Sequence, residues 1–301
     1  MVHLRAGWAA WMTVPNITDV VGPGDHACLT FTDGDERLDL VAAFVRDGLR
    51  AGHKVVCWTD AIDPDGLAAQ LANRSVRPGA AMRRGQLRLT PISDSLLGAG
   101  AVTAAAMVDV LSDELDAAAK EGYPGLRITA DMAWATRPIG GVEELIAFET
   151  KLAELFADGR LCLICQYDRE RFDAVTLALA AKAHPKTVAA QVYYEHPLLR
   201  ICRQYSQPGI RIAGQLDYRQ RDVLEQALGE SLRLDRNPHV NLSRLYYIDG
   251  ACAGVIVAAA MRLPRSRRMT VKCQRLVATV LDLVGAGTAP SLRVQVSHEQ
   301  R

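Results

Sequence analysis

The chain has 301 residues, of which 49% are hydrophobic and 23% are charged, so it is long enough for two globular domains and is not of the disordered class. Its 35 basic and 34 acidic residues leave a formal net charge of +1, which gives no electrostatic reason to expect a nucleic-acid or membrane partner. The seven cysteines are odd in number and mostly lie in apolar runs. This pattern is typical of buried thiols in a reducing compartment, and we therefore expect a cytoplasmic protein.

The first two thirds of the chain alternate short apolar runs with longer segments that carry apolar residues at helical spacing. Residues 1–20 are predicted to form an N-terminal arm. Strands are predicted at residues 26–32, 54–59, 87–90, 126–130 and 161–167, and helices at residues 36–51, 63–72, 102–120, 142–157 and 171–181. Because these strands lack polar alternation, we predict a mostly parallel sheet with helices on both faces, in an α/β domain that covers residues 21–190.

The pattern changes after a connector at residues 185–200, whose tyrosines and apolar residues are more typical of a docked segment than of a flexible linker. The elements predicted beyond it are a hairpin (199–205 and 210–215), a helix (219–234), a strand–turn–helix unit (240–260), a strand (269–272), a helix (274–284) and an edge strand (292–296). They predict a second α/β domain, which covers residues 191–301.

The strand–turn–helix unit of the second domain has a distinctive turn. Asp249 and Gly250 interrupt an apolar run at residues 240–248. Asp249 is predicted to be the N-cap of the following helix, because its carboxylate can accept hydrogen bonds from the free amides of the first turn. Such a turn exposes a helix N-terminus, where an anion or a partner can dock.

Strand–helix alternation is also the setting of nucleotide-binding domains, but the sequence contains no GxxxxGK[ST] motif. The turn after the first strand instead carries Asp33, Asp35 and Glu36, whose charges would repel a triphosphate. Asp131 follows an apolar strand, where it either holds a metal ion or caps a helix or loop. Trp134, close by, either lines a pocket at this sheet end or packs in the core.

Histidine and cysteine side chains offer a different candidate site. His26 and Cys28 lie two residues apart on a strand and therefore share a face, which makes them candidate ligands for a soft metal or a haem. Cys165 and His184 are further candidate ligands. Cys162 and Cys165 form a CxxC motif, but residues three apart on a strand face opposite sides, which argues against a chelating or redox-active pair.

Gln166, Tyr167 and Asp168 close the strand that contains Cys165, and they form either a ligand site or a salt-bridged corner. No Ser/His/Asp arrangement, nucleophile elbow or pair of carboxylates at a useful spacing is present in the sequence, so we expect no enzymatic activity. The candidate sensor pocket comprises His26, Cys28, Asp131, Trp134, Gln166, Tyr167, Asp168 and His184.

Four segments of the N-terminal half resemble the MEDS domain, a sensory module of methanogen and methylotroph regulators. They are GDHACLTF at residues 24–31, DGLRAGHKVVCWTD at 47–60, LRITADMAW at 126–134 and CQYDRERF at 165–172, followed by His184 and Pro185. The resemblance implies a RecA-like or KaiC-like sheet that has lost its phosphate loop. It also implies the sensing of a small molecule, whose identity the family does not fix.

Three segments of the C-terminal half resemble the STAS domain of anti-sigma-factor antagonists. They are IAGQLDYRQRDVLEQAL at residues 212–228, VNLSRLYYIDGACAGVIVAA at 240–259 and LVATVLDLVGAG at 276–287. In that family, the serine that follows an aspartate is phosphorylated by a partner kinase that is also the anti-sigma factor, and the phosphate breaks the partner interface. Here Asp249 matches the aspartate, but Gly250 stands at the serine position and offers no hydroxyl.

The second resemblance implies a partner-binding surface made of Asp249, Gly250, Ala251 and Cys252, without a phosphorylation site. Such a module is either permanently competent to bind its partner or has become a scaffold. Our leading interpretation is a cytoplasmic signalling protein whose sensor binds a small ligand and whose STAS module reports to an anti-sigma factor or a related regulator, with a homodimer as a further expected assembly. The alternatives are a degenerate RecA-like nucleotide-binding switch or enzyme, and a metal or haem sensor that uses His26 and Cys28.

Overall fold

The structure is a computed structural model that describes residues 21–98, 102–137 and 141–297. The predicted N-terminal arm at residues 1–20 lies outside the described residues. Two β-sheets, each with its own helices, follow one another along the chain. In this described part, every helix is too short or too polar to cross a lipid bilayer.

The first sheet has six strands in the order β3-β2-β4-β5-β1-β6, and all of its pairings are parallel. Its strands are β1 (His26–Phe31), β2 (Lys54–Thr59), β3 (Leu87–Pro91), β4 (Leu126–Asp131), β5 (Leu161–Asp168) and β6 (Lys186–Val188). Its helices are α1 (Gly34–Arg50), α2 (Pro64–Ala72), α3 (Pro78–Arg83), α4 (Ala104–Lys120), α5 (Gly141–Lys151) and α6 (Ala174–Ala183). The predicted α/β fold with a mostly parallel sheet is confirmed, and α3 and β6 are additions to it.

Helices cover both faces of this sheet, as the uninterrupted apolar strands require. Helices α1, α2 and α3 pack on one face around Phe44 and Leu71. Helices α4, α5 and α6 pack on the other face around Met107 and Phe148. Strand alternation sends Cys162 to the first face and the cysteine three residues later to the second, so the CxxC motif is not a chelating pair, as predicted.

The second sheet runs in the order β13-β12-β10-β9-β8-β7, with β11 paired to β9. Its strands are β7 (Val192–His196), β8 (Leu199–Gln204), β9 (Gly209–Leu216), β10 (His239–Leu242), β11 (Leu245–Ile248), β12 (Met269–Cys273) and β13 (Leu292–Val296). Its helices are α7 (Arg221–Leu234), α8 (Gly250–Met261) and α9 (Arg275–Leu283). Strands β7, β8 and β9 form an antiparallel meander, which contains the predicted hairpin, whereas β9 to β13 pair in parallel.

The predicted connector at residues 185–200 is part of both sheets. Strand β6 extends the first sheet beside β1, and β7 starts the second sheet beside β8. Residues 189–191 alone separate the two strands. The segment therefore docks, as its tyrosines and apolar residues indicate, and it leaves little slack between the two halves.

The run at residues 240–248, predicted as one strand, is two strands. Strand β10 lies between β9 and β12, whereas β11 shifts to pair with the end of β9. The side-chain oxygen of Asn241 accepts hydrogen bonds from the amide and hydroxyl of Ser243, at 3.1 and 2.6 Å, which forms a local turn. On β9, Gly214 has φ +107°, and a Cβ there would lie 2.1 Å from the carbonyl oxygen of Leu198. Strand β11 thus begins opposite a position that must be glycine, and the amide of Gly214 donates to the carbonyl of Arg244 at 2.9 Å.

The second sheet has one apolar face and one polar face. Ile201, Ile212 and Val271 pack with helices α7, α8 and α9 in a single core. The opposite face presents Arg200 and Arg211, whose guanidinium groups bind carboxylates of α1 and its cap in the N-terminal half. The two halves are therefore packed together through a polar sheet face.

Candidate functional site

A buried polar cluster lies on the α4–α6 face of the first sheet. We call the group of His26, Glu149, Cys165 and His184 the histidine–glutamate cluster; all four side chains are buried, and their ligand-type atoms lie within 4.8 Å of one another. Oε2 of Glu149 is 3.0 Å from Nε2 of His26 and 3.4 Å from Nε2 of His184. The Sγ atom of Cys165 is 3.5 Å from Nε2 of His26 and 3.8 Å from Oε2 of Glu149.

Four separate elements bring this cluster together. Strands β1 and β5 are neighbours, and Cys28 is in register with Cys165, so His26 and Cys165 share a face of the sheet. Glu149 comes from the inner side of α5, next to the buried Phe148. His184 is the residue that ends α6. The cluster therefore ties two helices to two strands.

Burial would raise the pKa of Glu149, but the hydrogen bond from His26 and the charges of His184 and His26 outweigh it and lower this pKa. The Tyr167 hydroxyl donates a hydrogen bond to Oε1 of Glu149. Burial and the charge of Glu149 raise the pKa of Tyr167 well above its usual range. The carboxylate is therefore the fixed negative charge of the cluster.

The structure places His26 next to a different cysteine from the one predicted as its partner ligand. His26 lies in the cluster, but its sulfur neighbour is Cys165, which was a secondary candidate. Cys28 lies beside the cluster, and burial together with the charge of Glu149 raises the pKa of its thiol to about 12. Sequence reasoning missed Glu149. The available signal was an acidic residue between Leu145 and Leu152, on the buried stripe of an amphipathic helix.

Asp131 and Gln166 lie in a different network, on the α1 side of the sheet. The carboxylate of Asp131 accepts hydrogen bonds from Nη2 of Arg37 at 2.6 Å and from the amides of Ala61 and Ala133 at 3.1 Å each. Gln166 accepts from Nε of Arg37 at 2.6 Å and donates to the hydroxyl of Thr129 at 2.6 Å. The contacts of Asp131 are therefore those of a cap, through the two amides, and of a buried ion pair with Arg37.

The remaining predicted pocket residues have local contacts. Trp134 is fully buried in the core beneath α4–α6, so it packs and does not line an open pocket. Asp168 is partly exposed, and its carboxylate accepts from the amide of Glu170 at 3.0 Å and lies 3.4 Å from Nε of Arg171. The salt-bridged corner considered from the sequence is present at this strand end. The residues of the predicted pocket therefore lie in separate places: in or beside the histidine–glutamate cluster, in the network around Asp131 and Gln166, in the core at Trp134, and in the surface turn at Asp168.

A polar cleft of about 690 Å³ opens between the two halves of the chain. From the N-terminal half it is lined by Asp35, Asp39, Gln70, Asn73 and Arg74. From the C-terminal half it is lined by Gln204, Ser206, Gln207, Asn241, Ser243, Arg244, Tyr246, Lys272, Gln274 and Ser297. None of the predicted pocket residues lines this cleft, because its walls come from the polar face of one domain and the helices of the other.

Three carboxylates hold the halves together beside the cleft. We call Asp33, Glu36 and Asp39 the carboxylate row; they are spaced by three residues along α1 and its cap, so they share one side of the helix. Glu36 accepts from Nε and Nη2 of Arg200 at 2.9 Å each. Asp33 binds Nη2 of Arg211 at 2.5 Å.

The third member of the row, Asp39, is buried. It accepts hydrogen bonds from the amides of Tyr205 and Ser206 at 2.7 and 2.8 Å, and from the Ser206 hydroxyl. These partners lie just after β8, in the turn that leads to β9. The row therefore joins the first helix of one domain to the hairpin of the other.

The turn before α8 has the predicted cap. Asp249 accepts hydrogen bonds from the amides of Cys252 and Tyr218 at 2.8 and 2.7 Å. Gly250 and Ala251 are exposed or partly exposed, whereas Cys252 is buried, and burial raises the pKa of its thiol to about 12. The accessible surface of the turn is thus backbone and small side chains, and its cysteine is not a reactive thiolate.

The N-terminal half of the chain matches a known family of protein domains. Residues 25–185, more than half of the chain, match the model of the family described as MEDS, the MEthanogen/methylotroph, DcmR Sensory domain. The transcriptional repressor DcmR of Methylorubrum extorquens is 26% identical over 181 residues, which are 59% of this chain and 62% of that protein. The chain therefore matches about three fifths of the length of this curated relative.

Two solved structures are similar to part of this chain at low TM-score and low sequence identity. The flagellar accessory protein FlaH of Methanocaldococcus jannaschii has a TM-score of 0.44 and 10% identity, over 63% of this chain and 81% of its own. A KaiC-like protein of Pyrococcus horikoshii has a TM-score of 0.46 and 12% identity, over 64% of this chain and 84% of its own. At this level of similarity, nothing about the function of either protein is carried over.

Proposed function

This chain belongs to the MEDS family of sensory domains, and we propose that it is a signalling protein in which a small-molecule sensor controls a STAS-like, partner-binding module. The family match and the similarity to a transcriptional repressor indicate a sensory or regulatory role. The observation that carries the proposal is the polar cleft between the two halves, because a ligand bound there contacts both of them.

The cleft is the proposed sensor site. Arg74, Arg244 and Lys272 contribute positive charge to its lining, and amide and hydroxyl groups provide most of the rest. Asp35 and Asp39 offset part of this charge: Asp35 pairs with Arg74 at 3.0 Å and lies 3.6 Å from Arg244, whereas Asp39 is engaged by the amides of Tyr205 and Ser206, and burial raises its pKa. The lining therefore favours a small, polar, anionic ligand. Such a ligand would stabilise the arrangement of the two halves in which it makes the most contacts. Its binding would therefore increase the fraction of molecules in that arrangement.

The N-terminus of α1 disfavours the alternative of a nucleotide switch. Oδ1 of Asp33 accepts hydrogen bonds from the amides of Asp35 and Glu36 at 2.9 and 3.0 Å. These are the first-turn amides that would bind a phosphate after the first strand of an α/β domain. Because a carboxylate occupies them, a phosphate would have to displace a side chain of its own charge.

The output surface is proposed to lie around the N-terminus of α8. Leu276 and Leu283 are seven residues apart on one face of α9 and are 63% and 81% exposed. Val284 lies 3.9 Å from the position that a Cβ on Gly250 would take, so this apolar surface adjoins the turn. Exposed leucines beside a capped helix N-terminus fit a protein partner, and we assign an anti-sigma factor or another STAS-pathway regulator to it. Since Gly250 has no hydroxyl, control comes from the sensor and not from phosphorylation.

The sensor part of the proposal predicts that a small molecule copurifies with the chain or is taken up from a cytosolic extract. Native mass spectrometry should show a noncovalent adduct on the wild-type chain. Lys272→Ala should reduce that adduct at least several-fold, because the substitution removes a cation from the cleft. Lys182→Ala, an exposed lysine on α6, is the matched control and should keep the adduct. An adduct that Lys272→Ala retains in full, or a wild-type chain that takes up nothing, contradicts the assignment of the cleft.

The output part predicts that Leu283→Glu abolishes capture of the regulator by the full-length chain. The substitution places a charge in the centre of the apolar surface, and buried charge without a partner is strongly unfavourable. Leu179→Glu is the matched control, since Leu179 is also exposed, at 41%, but lies on α6 of the sensor. Affinity purification followed by mass spectrometry should recover an anti-sigma-type regulator with the wild type and the control. If Leu283→Glu recovers as much regulator as the wild type, the partner does not bind at the exposed leucines of α9. If the wild type recovers no anti-sigma-type regulator, the proposed class of partner is wrong.

A further inference from the structure

We propose that the histidine–glutamate cluster is a binding site for one zinc-class divalent metal ion, with His26, Glu149, Cys165 and His184 as its four ligands. The site is independent of the proposed cleft ligand and of the proposed partner. It differs from the pair expected from the sequence, because Cys165 provides the sulfur and Glu149 adds a carboxylate.

The spacing of the four ligand atoms fits a tetrahedral ion. A tetrahedral zinc ion with bonds of about 2.0 Å to nitrogen and oxygen and about 2.3 Å to sulfur holds the nitrogen and oxygen atoms about 3.3 Å apart, and the sulfur about 3.5 Å from each of them. The contacts between the ligand atoms of the cluster are 3.0, 3.4, 3.5 and 3.8 Å long. The other two pairs of ligand atoms lie within 4.8 Å, so movements of about 1 Å or less would accommodate the ion.

The donor set selects the class of metal. Two imidazole nitrogens, one thiolate sulfur and one carboxylate oxygen are the ligand types that zinc prefers, whereas magnesium and calcium prefer oxygen ligands. Coordination displaces the proton of the Cys165 thiol, which is released to solvent, and the Nε2 proton of His26, which is released or taken up by Nδ1 of the same ring. Four protein ligands leave no open position, so the ion would have a structural role.

The hydrogen bonding of His184 is an independent indication of a cation. Its Nδ1 atom lies 2.7 Å from the carbonyl oxygen of Ala180, which can only accept, so Nδ1 carries the proton. In the neutral ring, Nε2 is then an acceptor; it is buried without a hydrogen-bond partner and faces Oε2 of Glu149 at 3.4 Å. Two acceptors that face each other repel unless a proton or a metal ion lies between them, and a metal ion would serve Nε2 of His26 and Sγ of Cys165 at the same time. A backbone carbonyl that holds the second nitrogen of the ring is also the usual support of a metal-bound histidine.

The surrounding contacts direct the other ligands toward the same point. The Tyr167 hydroxyl donates a hydrogen bond to Oε1 of Glu149, so that Oε2 is the oxygen that faces the two histidines. The ring of Phe156 stacks on His26 with centroids 5.1 Å apart, which restricts the orientation of the imidazole. The arrangement thus offers one carboxylate oxygen and two oriented nitrogens to a single centre.

Titration of the metal-free, full-length chain with Co²⁺ tests the proposal, because cobalt replaces zinc and reports its own geometry. We expect one equivalent to bind, with the intense visible absorption of tetrahedral cobalt and a near-ultraviolet thiolate–cobalt band, and Zn²⁺ to displace it. Cys162→Ala is the matched control, since Cys162 is a buried cysteine of the same strand on the opposite face. It should bind like the wild type.

The ligand variants complete the test. Cys165→Ser should lose the thiolate band, His184→Ala should lose stoichiometric binding, and Tyr167→Phe should weaken binding about 10- to 100-fold by removing an outer-shell contact. A wild-type chain that binds less than one equivalent, or binds without the thiolate band, overturns the proposal even where a variant fails to fold. Unchanged binding in a folded His184→Ala chain also overturns it. In those cases the cluster is a metal-free hydrogen-bonded core.

Discussion

Replacing Asp235 with alanine is expected to lower the free energy of unfolding by about 3–5 kcal/mol, because the substitution leaves a buried arginine without its counter-ion. The carboxylate of Asp235, at the end of α7, accepts from Nη1 and Nη2 of Arg203 at 2.5 and 2.6 Å. The hydroxyl of Ser231 donates to the same carboxylate at 3.0 Å. Arg203 also donates to the carbonyl of Gly209 at 3.1 Å, so the pair joins α7 to the hairpin of the second sheet.

Urea unfolding followed by circular dichroism measures this effect. Asp158→Ala is the control, because the ion pair of Asp158 with Arg160 is about half exposed and its loss should change stability by less than about 0.5 kcal/mol. The double variant Arg203→Met/Asp235→Leu should recover much of the lost stability, since well-packed apolar groups often replace a buried ion pair at little cost. If the free energy of unfolding of Asp235→Ala is within about 1 kcal/mol of the wild-type value, water reaches the guanidinium group of Arg203 and the prediction is wrong.

Strand and helix periodicity predicted five of the six strands of the first sheet, because these strands are short and mostly apolar; it missed the three-residue β6, Lys186–Val188. It failed at residues 240–248, where Leu242 and Leu245 belong to different strands. The break coincides with the turn at Asn241, after which β11 pairs with β9 opposite Gly214, and neither feature alters the apolar pattern of the run itself. Irregular pairing of this kind is a tertiary property.

The histidine–glutamate cluster was partly predictable for a similar reason. The side-chain period of two placed His26 on one face of its strand, but the register of β1 against β5, which selects Cys165, is not encoded in either strand alone. Glu149 lies on a helix whose polar residues look solvent-facing until the helix is docked. The cleft was not predictable at all, because it exists only once two domains are packed.

Replacing Asp39 with alanine is expected to loosen the contact between the two halves. The substitution leaves the amides of Tyr205 and Ser206 without an acceptor, at a cost of about 1–3 kcal/mol for each buried amide. The carboxylate row would then keep only its two arginine pairs. We expect the single thermal transition of the wild-type chain to split into two in differential scanning calorimetry. Arg50→Ala, an exposed residue at the end of the same helix, is the control and should keep a single transition.

The pH dependence of Asp39 gives a second measurement of the same contact. Burial raises the pKa of Asp39, although hydrogen bonds from Ser206 and Tyr205 and the charge of Arg74 act in the opposite direction. A folded-state pKa above the unfolded value of about 4 means that the acid form is favoured in the folded protein, so the contribution of this group is complete below about pH 4 and is lost as the pH rises through the folded pKa. The carboxamide that Asp39→Asn introduces does not titrate. The stability of the wild type relative to Asp39→Asn should therefore fall from pH 4 toward neutral pH.

The calorimetry of Asp39→Ala and the pH dependence of Asp39 also test how the sensor half is coupled to the partner-binding half. If the halves communicate through the cleft, Asp39→Ala should uncouple ligand from partner. The native-mass-spectrometry adduct would weaken, because the cleft walls separate, while the regulator would still be captured through the exposed leucines of α9. A chain that unfolds in two steps yet keeps ligand-dependent capture would show that the carboxylate row is structural. The signal would then have to pass through β6 and β7, whose three-residue connection is the covalent link between the sheets.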